Sequence, residues 1–167
     1  GGRLTPRSAL RSWCGHRSRN RSRSGSNRRR GDRGAGGGLA SGVAIALKRA
    51  DPSITVVGVQ VDSCAPYANQ PVAGGAITTL ADGIAVKRPG RITRPLVDAW
   101  VDDIVTVTEN EIREAVRRTA AQAHLVAEPG GAVAVAACLL RGHDLPSART
   151  RVAVLSGGNI DPALLAG

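Results

Sequence analysis

The sequence lacks methionine and phenylalanine altogether, and aromatic residues make up only 2% of it. The aromatic side chains are Trp13, Tyr67 and Trp100. They are too few to build the stacking platforms on which many proteins bind single-stranded nucleic acid. Because no methionine provides an initiator, we expect the chain to be a fragment of a longer protein.

Cysteine is also scarce, since the chain has only Cys14, Cys64 and Cys138. Their odd number and wide spacing indicate neither a disulfide framework nor a zinc site. No apolar run approaches the roughly 20 residues that cross a bilayer, and no apolar segment follows the basic N-terminus as in a signal peptide. We therefore expect a cytoplasmic protein without a metal site.

The positive charge is concentrated at one end of the chain. The net charge is +10, and eleven arginines fall within residues 1–34 with only Asp32 opposing them. This segment is too polar to bury a core, so we expect residues 1–34 to be disordered and residues 35–167 to form the folded domain. The neutral domain indicates no matching basic surface, yet an arginine-rich arm that neutralises RNA phosphates remains an alternative function.

Beyond residue 34, segments with helical periodicity alternate with short apolar runs, which is typical of an α/β protein. Residues 39–50 and 132–141 are predicted helices. Residues 54–61, 101–108 and 151–155 are predicted strands, and residues 62–95 a loop with a short helix around Tyr67.

A third helix is predicted to begin at the capping box of Thr108 and Glu111 and to end before Glu128–Gly131. Its apolar face is predicted to contain Ile112, Val116, Ala120, Ala123 and Val126.

Two glycine-rich turns are candidates for chemistry, Gly36–Gly38 before a predicted helix and Ser156–Asn159 after a predicted strand. Glycines at a helix N-terminus leave backbone N–H groups free to converge on an anion. A tight turn without a ligand is an equal alternative on this feature alone. The dinucleotide pattern G-x-G-x-x-G is not matched, because Leu39 stands where the third glycine would be, and the lysine of a P-loop is absent.

Five segments together resemble one family. They are GGGLASGVAIALK (36–48), TLADGIAVKRPG (79–90), VDDIVTVTENEI (101–112), LVAEPGGAVAVAA (125–137) and VLSGGNID (154–161). In order and spacing they resemble the second half of the threonine ammonia-lyases (threonine dehydratases) and of serine racemase. The resemblance implies an incomplete three-layer open twisted sheet of the tryptophan-synthase-β-like, fold type II, enzymes.

The resemblance also implies pyridoxal 5'-phosphate as cofactor and an amino-acid substrate, in a homo-oligomeric parent enzyme. It places the phosphate on backbone groups of Gly36, Gly37, Gly38 and Leu39. It places the Ser156 hydroxyl against the pyridine nitrogen, where a neutral partner suits β-elimination, although Ser156 as a mere strand cap is an alternative. Glu128 either lies near the cofactor ring or is an exposed carboxylate at a helix end.

The sequence departs from the family at its metal ligands and at its catalytic lysine. Gln60 stands where cation-binding relatives have a glutamate, and Cys64 and Pro66 stand where further ligands would fall, so we expect no cation site. The motif that carries the cofactor-binding lysine is absent, and Lys48 and Lys87 match positions without a catalytic role. We therefore expect no catalytic residue in this chain.

The N-terminal segment departs as well, because the family has a buried strand of the type Val-Val-Val-Pro-Val before the glycine loop. With suitable codons for Gly31–Gly37, a shift of one base reads Ala-Ile-Val-Val-Pro-Val-Gly, which restores such a strand. Arginine-rich products are typical of GC-rich genes read out of frame, and 21 arginines against two lysines indicate such a genome. We expect residues 1–34 to reflect a frameshift or a truncated gene model.

The sequence leaves three functions open. One is deamination of L-threonine, or of L-serine, to a 2-oxo acid and ammonia, in isoleucine biosynthesis or in threonine catabolism. The second is RNA binding through the arm, and the third is a non-catalytic remnant of the lyase.

Overall fold

A computed structural model describes residues 36–68 and 77–166. The elements in chain order are helix α1 (Gly38–Ala50), strand β1 (Val57–Val61), a 3-10 helix (Asp82–Ile84), helix α2 (Thr93–Trp100), strand β2 (Asp103–Val107) and helices α3 (Glu109–Ala123), α4 (Pro129–Leu140) and α5 (Ala163–Ala166). The predicted disorder of residues 1–34 lies outside the described residues. None of the described helices is long and apolar enough to cross a membrane.

Strands β1 and β2 form a parallel pair in which Val57 lies opposite Asp103 and Val61 opposite Val107. Parallel strands need a crossover connection, and α2 lies on the chain between them. Helices α3 and α4 pack against each other, and α4 also packs on both strands, while α1 packs on α2. The α/β alternation read from the sequence is therefore confirmed.

One apolar core joins the sheet to α3 and α4. Its fully buried side chains include Val61, Val107 and Ile112, and small residues of α4 such as Ala132 and Ala136 fill the space between them. Alanine at these positions lets the helix backbone approach the sheet closely. The core thereby fixes α4 against both strands.

Helix α3 begins with the predicted capping box. The Thr108 hydroxyl accepts from the Glu111 N–H, and the Glu111 carboxylate accepts from the Thr108 N–H at 2.7 Å. The predicted apolar face was only partly right, because the buried residues are Ile112, Ala115, Val116 and Thr119. The helix ends at Ala123, where His124 adopts a left-handed conformation, so that Val126 lies beyond the helix and is exposed.

Several predicted boundaries were wrong for local reasons. Strand β1 begins at Val57 rather than at residue 54, because the Ile54 N–H donates to the Asp51 carbonyl in a turn and the Val56 N–H donates to the Asp102 carboxylate. The described residues around Tyr67 form turns instead of a helix. Helix α4 begins at Pro129, three residues before the predicted start.

Helix α2 was missed, because the Gly- and Pro-rich composition before it indicated a loop. Pro95 lies in its first turn, where the missing N–H costs no helical hydrogen bond. The ion pair of Arg94 with Asp98, at 2.7 Å and one turn apart, supports the helix.

The strand predicted at residues 151–155 is not a strand, since it joins no sheet among the described residues. Leu155 packs against the core, whereas Val152 is 84% exposed and Val154 44% exposed. The apolar run was read as a buried strand, but a strand needs a hydrogen-bonded neighbour on at least one edge, and β1 and β2 pair only with each other in the described part.

Candidate functional site

The first glycine turn leaves a row of backbone donors open at the start of α1. Gly37 is the N-cap, with φ +84°, and no side chain caps the helix. The first helical hydrogen bond runs from the Ser41 N–H to the Gly37 carbonyl at 2.9 Å. The N–H groups of Gly38, Leu39 and Ala40 therefore have no acceptor among the described residues.

The surroundings of these donors suit an anion. The helix dipole places partial positive charge at this end, and the first turn of α1 contains no acidic residue. No described heavy atom lies within 4 Å of the position that a Cβ of Gly38 would take, and Leu39 is 59% exposed. Unpaired N–H groups at an exposed helix N-terminus are the arrangement that binds phosphate in other folds.

Two hydroxyl groups hold the turn from the other side. The Tyr67 hydroxyl donates to the Gly36 carbonyl at 2.6 Å, and the Thr93 hydroxyl donates to the same oxygen. A Cβ on Gly37 would overlap the Tyr67 hydroxyl oxygen. Sequence reasoning missed both residues as part of the site, since neither lies in a motif and each approaches the turn only through the tertiary fold.

The residues at the expected metal position make other contacts. The Gln60 side-chain oxygen accepts from the N–H groups of Tyr67 at 2.9 Å and Ala68 at 3.2 Å. The Cys64 thiol is buried and donates to the Val86 carbonyl, and burial raises the pKa of this thiol. The part of the chain that the structure describes contains no group of three or more His, Cys, Asp or Glu side chains that could hold a metal ion.

The second glycine turn packs on the start of α4. The Ser156 N–H donates to the Gly131 carbonyl at 3.3 Å, and Gly157 adopts a left-handed conformation with φ +75°. A Cβ on Gly131 would overlap the Ser156 carbonyl oxygen, so that only glycine fits there. The Ser156 side chain is half-buried, and its hydroxyl makes no hydrogen bond to the described residues.

Glu128 connects this turn to the 3-10 helix. Its N–H donates to the Gly157 carbonyl at 3.3 Å, and its carboxylate accepts from the Asn159 N–H at 3.2 Å. A Cβ on Gly83 would lie 3.5 Å from the same carboxylate. Glu128 is therefore half-buried between two loops, rather than an exposed carboxylate at a helix end.

The two lysines occupy peripheral positions. Lys48, in the last turn of α1, forms a 2.8 Å ion pair with Asp102, and this hydrogen bond lowers the pKa of that carboxyl group. Lys87 lies exposed in the loop before α2. Lys48 therefore lies at the end of α1 opposite the open N–H groups.

The five residues predicted to bind the cofactor thus fall into two clusters. Gly36–Gly38 and Leu39 lie at the start of α1 among Tyr67, Thr93 and Gly90, whereas Ser156 lies against Gly131. The first cluster is held by the side-chain hydroxyls of Tyr67 and Thr93, and the second by backbone hydrogen bonds to the start of α4.

Comparison with known proteins identifies relatives of the chain. The chain is 44% identical to the L-threonine ammonia-lyase of Thermotoga maritima over 131 residues, which are 75% of this chain and 32% of that protein. It is 42% identical to the catabolic L-threonine dehydratase of Escherichia coli K12 over 75% of this chain and 40% of that one. The chain thus spans about a third to two-fifths of the length of these relatives.

Solved structures show the same likeness. The crystal structure of a threonine deaminase from T.th. matches with a TM-score of 0.69 and 34% identity, over 76% of this chain and 47% of that one. Maize serine racemase matches with a TM-score of 0.67 and 32% identity, over 79% of this chain and 43% of that one. The fold predicted from the resemblance, an incomplete part of the fold type II architecture, is confirmed by these matches.

The sequence pattern of the family described as "Pyridoxal-phosphate dependent enzyme" covers residues 34–157, most of the chain and nearly all of the described part. It includes the first glycine turn, the start of the second and the helices behind them. The resemblance read from five short segments is therefore confirmed, and the chain belongs to the family of pyridoxal-phosphate dependent enzymes.

Proposed function

We propose that this chain is the C-terminal part of the catalytic domain of a threonine ammonia-lyase, which converts L-threonine to 2-oxobutanoate and ammonia, with L-serine as an alternative substrate. The observation that carries the proposal is the row of unpaired N–H groups on Gly38, Leu39 and Ala40 at the start of α1. The names of similar relatives support the choice of reaction.

The residues present fit pyridoxal 5'-phosphate at its two polar ends. The turn at Gly36–Gly38 and Leu39 would hold the phosphate through backbone N–H groups, without a nearby negative charge in the first helical turn. The Ser156 hydroxyl, which has no other partner among the described residues, would bond the pyridine nitrogen. A neutral hydroxyl leaves that nitrogen unprotonated, in contrast to a carboxylate.

When bound, the cofactor withdraws electrons from the α-carbon of the substrate, so that its proton and then its β-hydroxyl group can leave. The role of this chain is to bind the cofactor and to orient it. The turn at the start of α1 fixes the phosphate end, and Ser156 fixes the ring end from a turn that Gly131 and Glu128 hold against α4.

We further propose that the 167-residue chain alone turns over no threonine. Covalent catalysis needs an amine placed against the aldehyde of the cofactor, yet Lys48 is paired with Asp102 at the far end of α1. At about 1.5 Å per residue, Lys48 lies on the order of 15 Å along the helix from the glycine turn. The missing lysine belongs to the upstream half of the parent enzyme.

We also propose a cellular location, an oligomeric state and a metabolic role for the parent enzyme. Cys64 and Cys138 are free thiols, which is consistent with a reducing cytoplasm. A homo-oligomer is expected from the family resemblance. The relatives include both a catabolic and a biosynthetic L-threonine dehydratase, and both roles stay within the proposal.

A chimera tests the proposed reaction. Residues 36–164 replace the matching part of the Thermotoga maritima L-threonine ammonia-lyase, and 2-oxo acid release from L-threonine and L-serine is measured. We expect turnover by the chimera and none by the 167-residue chain with added pyridoxal phosphate. A folded chimera that retains cofactor but releases no 2-oxo acid would contradict the proposed function, and turnover by the short chain abolished by Lys48→Ala would show that the lysine is misplaced.

A further inference from the structure

We propose that Tyr67 and Thr93 are positioning residues that aim the Gly37 N–H into the phosphate site by holding the Gly36 carbonyl group on the opposite side. The inference rests on the proposed function, because it concerns the same phosphate turn. It assigns a role to two side chains that touch the turn from behind and that no motif identifies.

Both hydroxyl groups converge on one acceptor. The Tyr67 hydroxyl lies 2.6 Å from the Gly36 carbonyl oxygen and 3.0 Å from the Thr93 hydroxyl. The Thr93 hydroxyl reaches the same carbonyl and lies 3.3 Å from the Gly90 carbonyl. The carbonyl of Gly36 is therefore held by two donors from two separate segments of the chain.

The direction of that carbonyl determines the direction of the next N–H. A trans peptide group is planar, and its C=O and N–H bonds point in opposite directions. The described part of the chain contains no cis peptide bond. With the Gly36 C=O turned toward Tyr67 and Thr93, the Gly37 N–H is turned away from them, and it has no acceptor among the described residues.

The carbonyl groups further along the turn are also occupied. The Gly37 carbonyl accepts from the Ser41 N–H at 2.9 Å, and the Gly38 carbonyl accepts from the Ser41 hydroxyl at 3.2 Å. Within the described structure, these contacts use the acceptors of the turn and leave its donors unpaired. Without these contacts, the peptide groups of the turn would be less constrained, and its donors would be held less firmly in one direction.

Tyr67 is itself fixed in place, which a positioning residue requires. Its side chain is 8% exposed, and its backbone N–H donates to the Gln60 side chain at 2.9 Å. The Arg94 guanidinium lies 5.9 Å from the centre of its ring. The hydroxyl thus reaches Gly36 from a support that joins the end of β1 to the start of α2.

The test measures binding of inorganic phosphate and of pyridoxal phosphate to the full 167-residue chain, with pyridoxal as the ligand that lacks the phosphate. We expect Tyr67→Phe and Thr93→Val each to weaken phosphate binding by about fivefold, the effect of one hydrogen bond, and the double variant to weaken it further. Thr93→Ser, which keeps the hydroxyl, should restore binding. Ser53→Ala is the control, because it removes a hydroxyl that bonds Asp51 past the other end of α1.

A structural readout separates positioning from general stability. The backbone amide signal of Gly37 should shift when phosphate is added to the wild-type chain, and this shift should shrink in Tyr67→Phe and Thr93→Val at unchanged melting temperature. Equal phosphate affinity and equal Gly37 shifts in wild type and in both variants would overturn the positioning role and leave the proposed function standing. Absence of phosphate binding by the wild-type chain would overturn both.

If Tyr67→Phe unfolds the chain, phosphate binding by Thr93→Val and Thr93→Ser is sufficient to test the positioning role. Valine matches threonine in volume but lacks the hydroxyl group, whereas serine keeps the hydroxyl group and lacks the methyl group. Weaker phosphate binding in the valine variant with normal binding in the serine variant supports the proposal, and identical binding in both contradicts it.

Discussion

The two glycine turns of this chain look alike in sequence and are held in opposite ways. At Gly36–Gly38 the protein binds the carbonyl groups of the turn through neutral hydroxyls and leaves N–H groups open. At Ser156–Asn159 the neighbouring helix and the Glu128 carboxylate occupy backbone groups of the turn, and a side-chain hydroxyl stays open instead.

In the proposed site, this difference would assign the two turns to different ends of one ligand. A carboxylate beside the second turn repels a second negative charge, so a phosphate favours the first turn, where the helix dipole attracts it. The second turn offers a single neutral hydroxyl, which suits a ring nitrogen. Glycine is required in both turns, but for different contacts.

The substitution with the largest expected effect disrupts the packing of the second glycine turn. Gly131→Ala places a Cβ on top of the Ser156 carbonyl oxygen, and such overpacking should lower the free energy of unfolding by about 3 kcal/mol. Urea unfolding followed by circular dichroism measures it. Gly130→Ala is the control, since its Cβ would meet nothing closer than 3.5 Å; equal urea midpoints for the two variants would contradict the close approach.

Gly37→Ala breaks the first turn and should cost about 2 kcal/mol, because the left-handed conformation disfavours a Cβ. The φ of Gly37 is +84°, and the Tyr67 hydroxyl occupies the place of the added Cβ. Phosphate binding should be lost together with stability. Gly42→Ala, within α1 and with no described atom near its Cβ, should instead raise stability by about 1 kcal/mol; if Gly37→Ala kept phosphate binding, the turn would not be the phosphate site.

Ser156→Asp sharpens the comparison without breaking either turn. In the chimera, a carboxylate against the pyridine nitrogen should hold it protonated and slow 2-oxobutanoate release by about tenfold, a cost of about 1.4 kcal/mol in the barrier. Phosphate binding by the short chain should not change. Ser147→Asp adds the same charge at an exposed loop position, and equal rates in both chimeras would refute the role of Ser156.

The smallest effect concerns the ion pair that joins α3 to the far end of α4 at low pH. Arg141, at the end of α4, donates to Glu111 at 2.6 Å. Partial burial works to raise the pKa of Glu111, but hydrogen bonds from Arg141 and Thr108 outweigh it and hold this pKa below its ordinary value. The resulting stabilisation is present above the unfolded pKa and is lost as the pH falls through the folded one.

Comparing wild type with Glu111→Gln at about pH 6 and about pH 3 measures this contribution. When the pH falls from about 6 to about 3, the folding equilibrium constant of the wild type should decrease by roughly threefold more than that of the variant. Glu114→Gln, which removes a more exposed carboxylate paired with Arg118, serves as the matched control. Parallel acid curves for wild type and Glu111→Gln would show that this pair contributes nothing.

Features with a local cause were predicted well. The capping box at Thr108 and Glu111 needs only residues three positions apart, and α1 follows directly from its glycines and its apolar spacing. Helix α2 was missed because its proline and its glycine-rich approach resemble a loop, while its packing on α1 comes from residues distant in sequence.

The sequence by itself determined the family, the two glycine turns and the open helix N-terminus, because these depend on residue types in short fixed order. Only the tertiary structure decided that Tyr67 and Thr93 meet at Gly36, that Glu128 closes the second turn, and that residues 151–155 join no described strand. These features depend on contacts between segments tens of residues apart, and the side chains that make them carry no local signal of their partners.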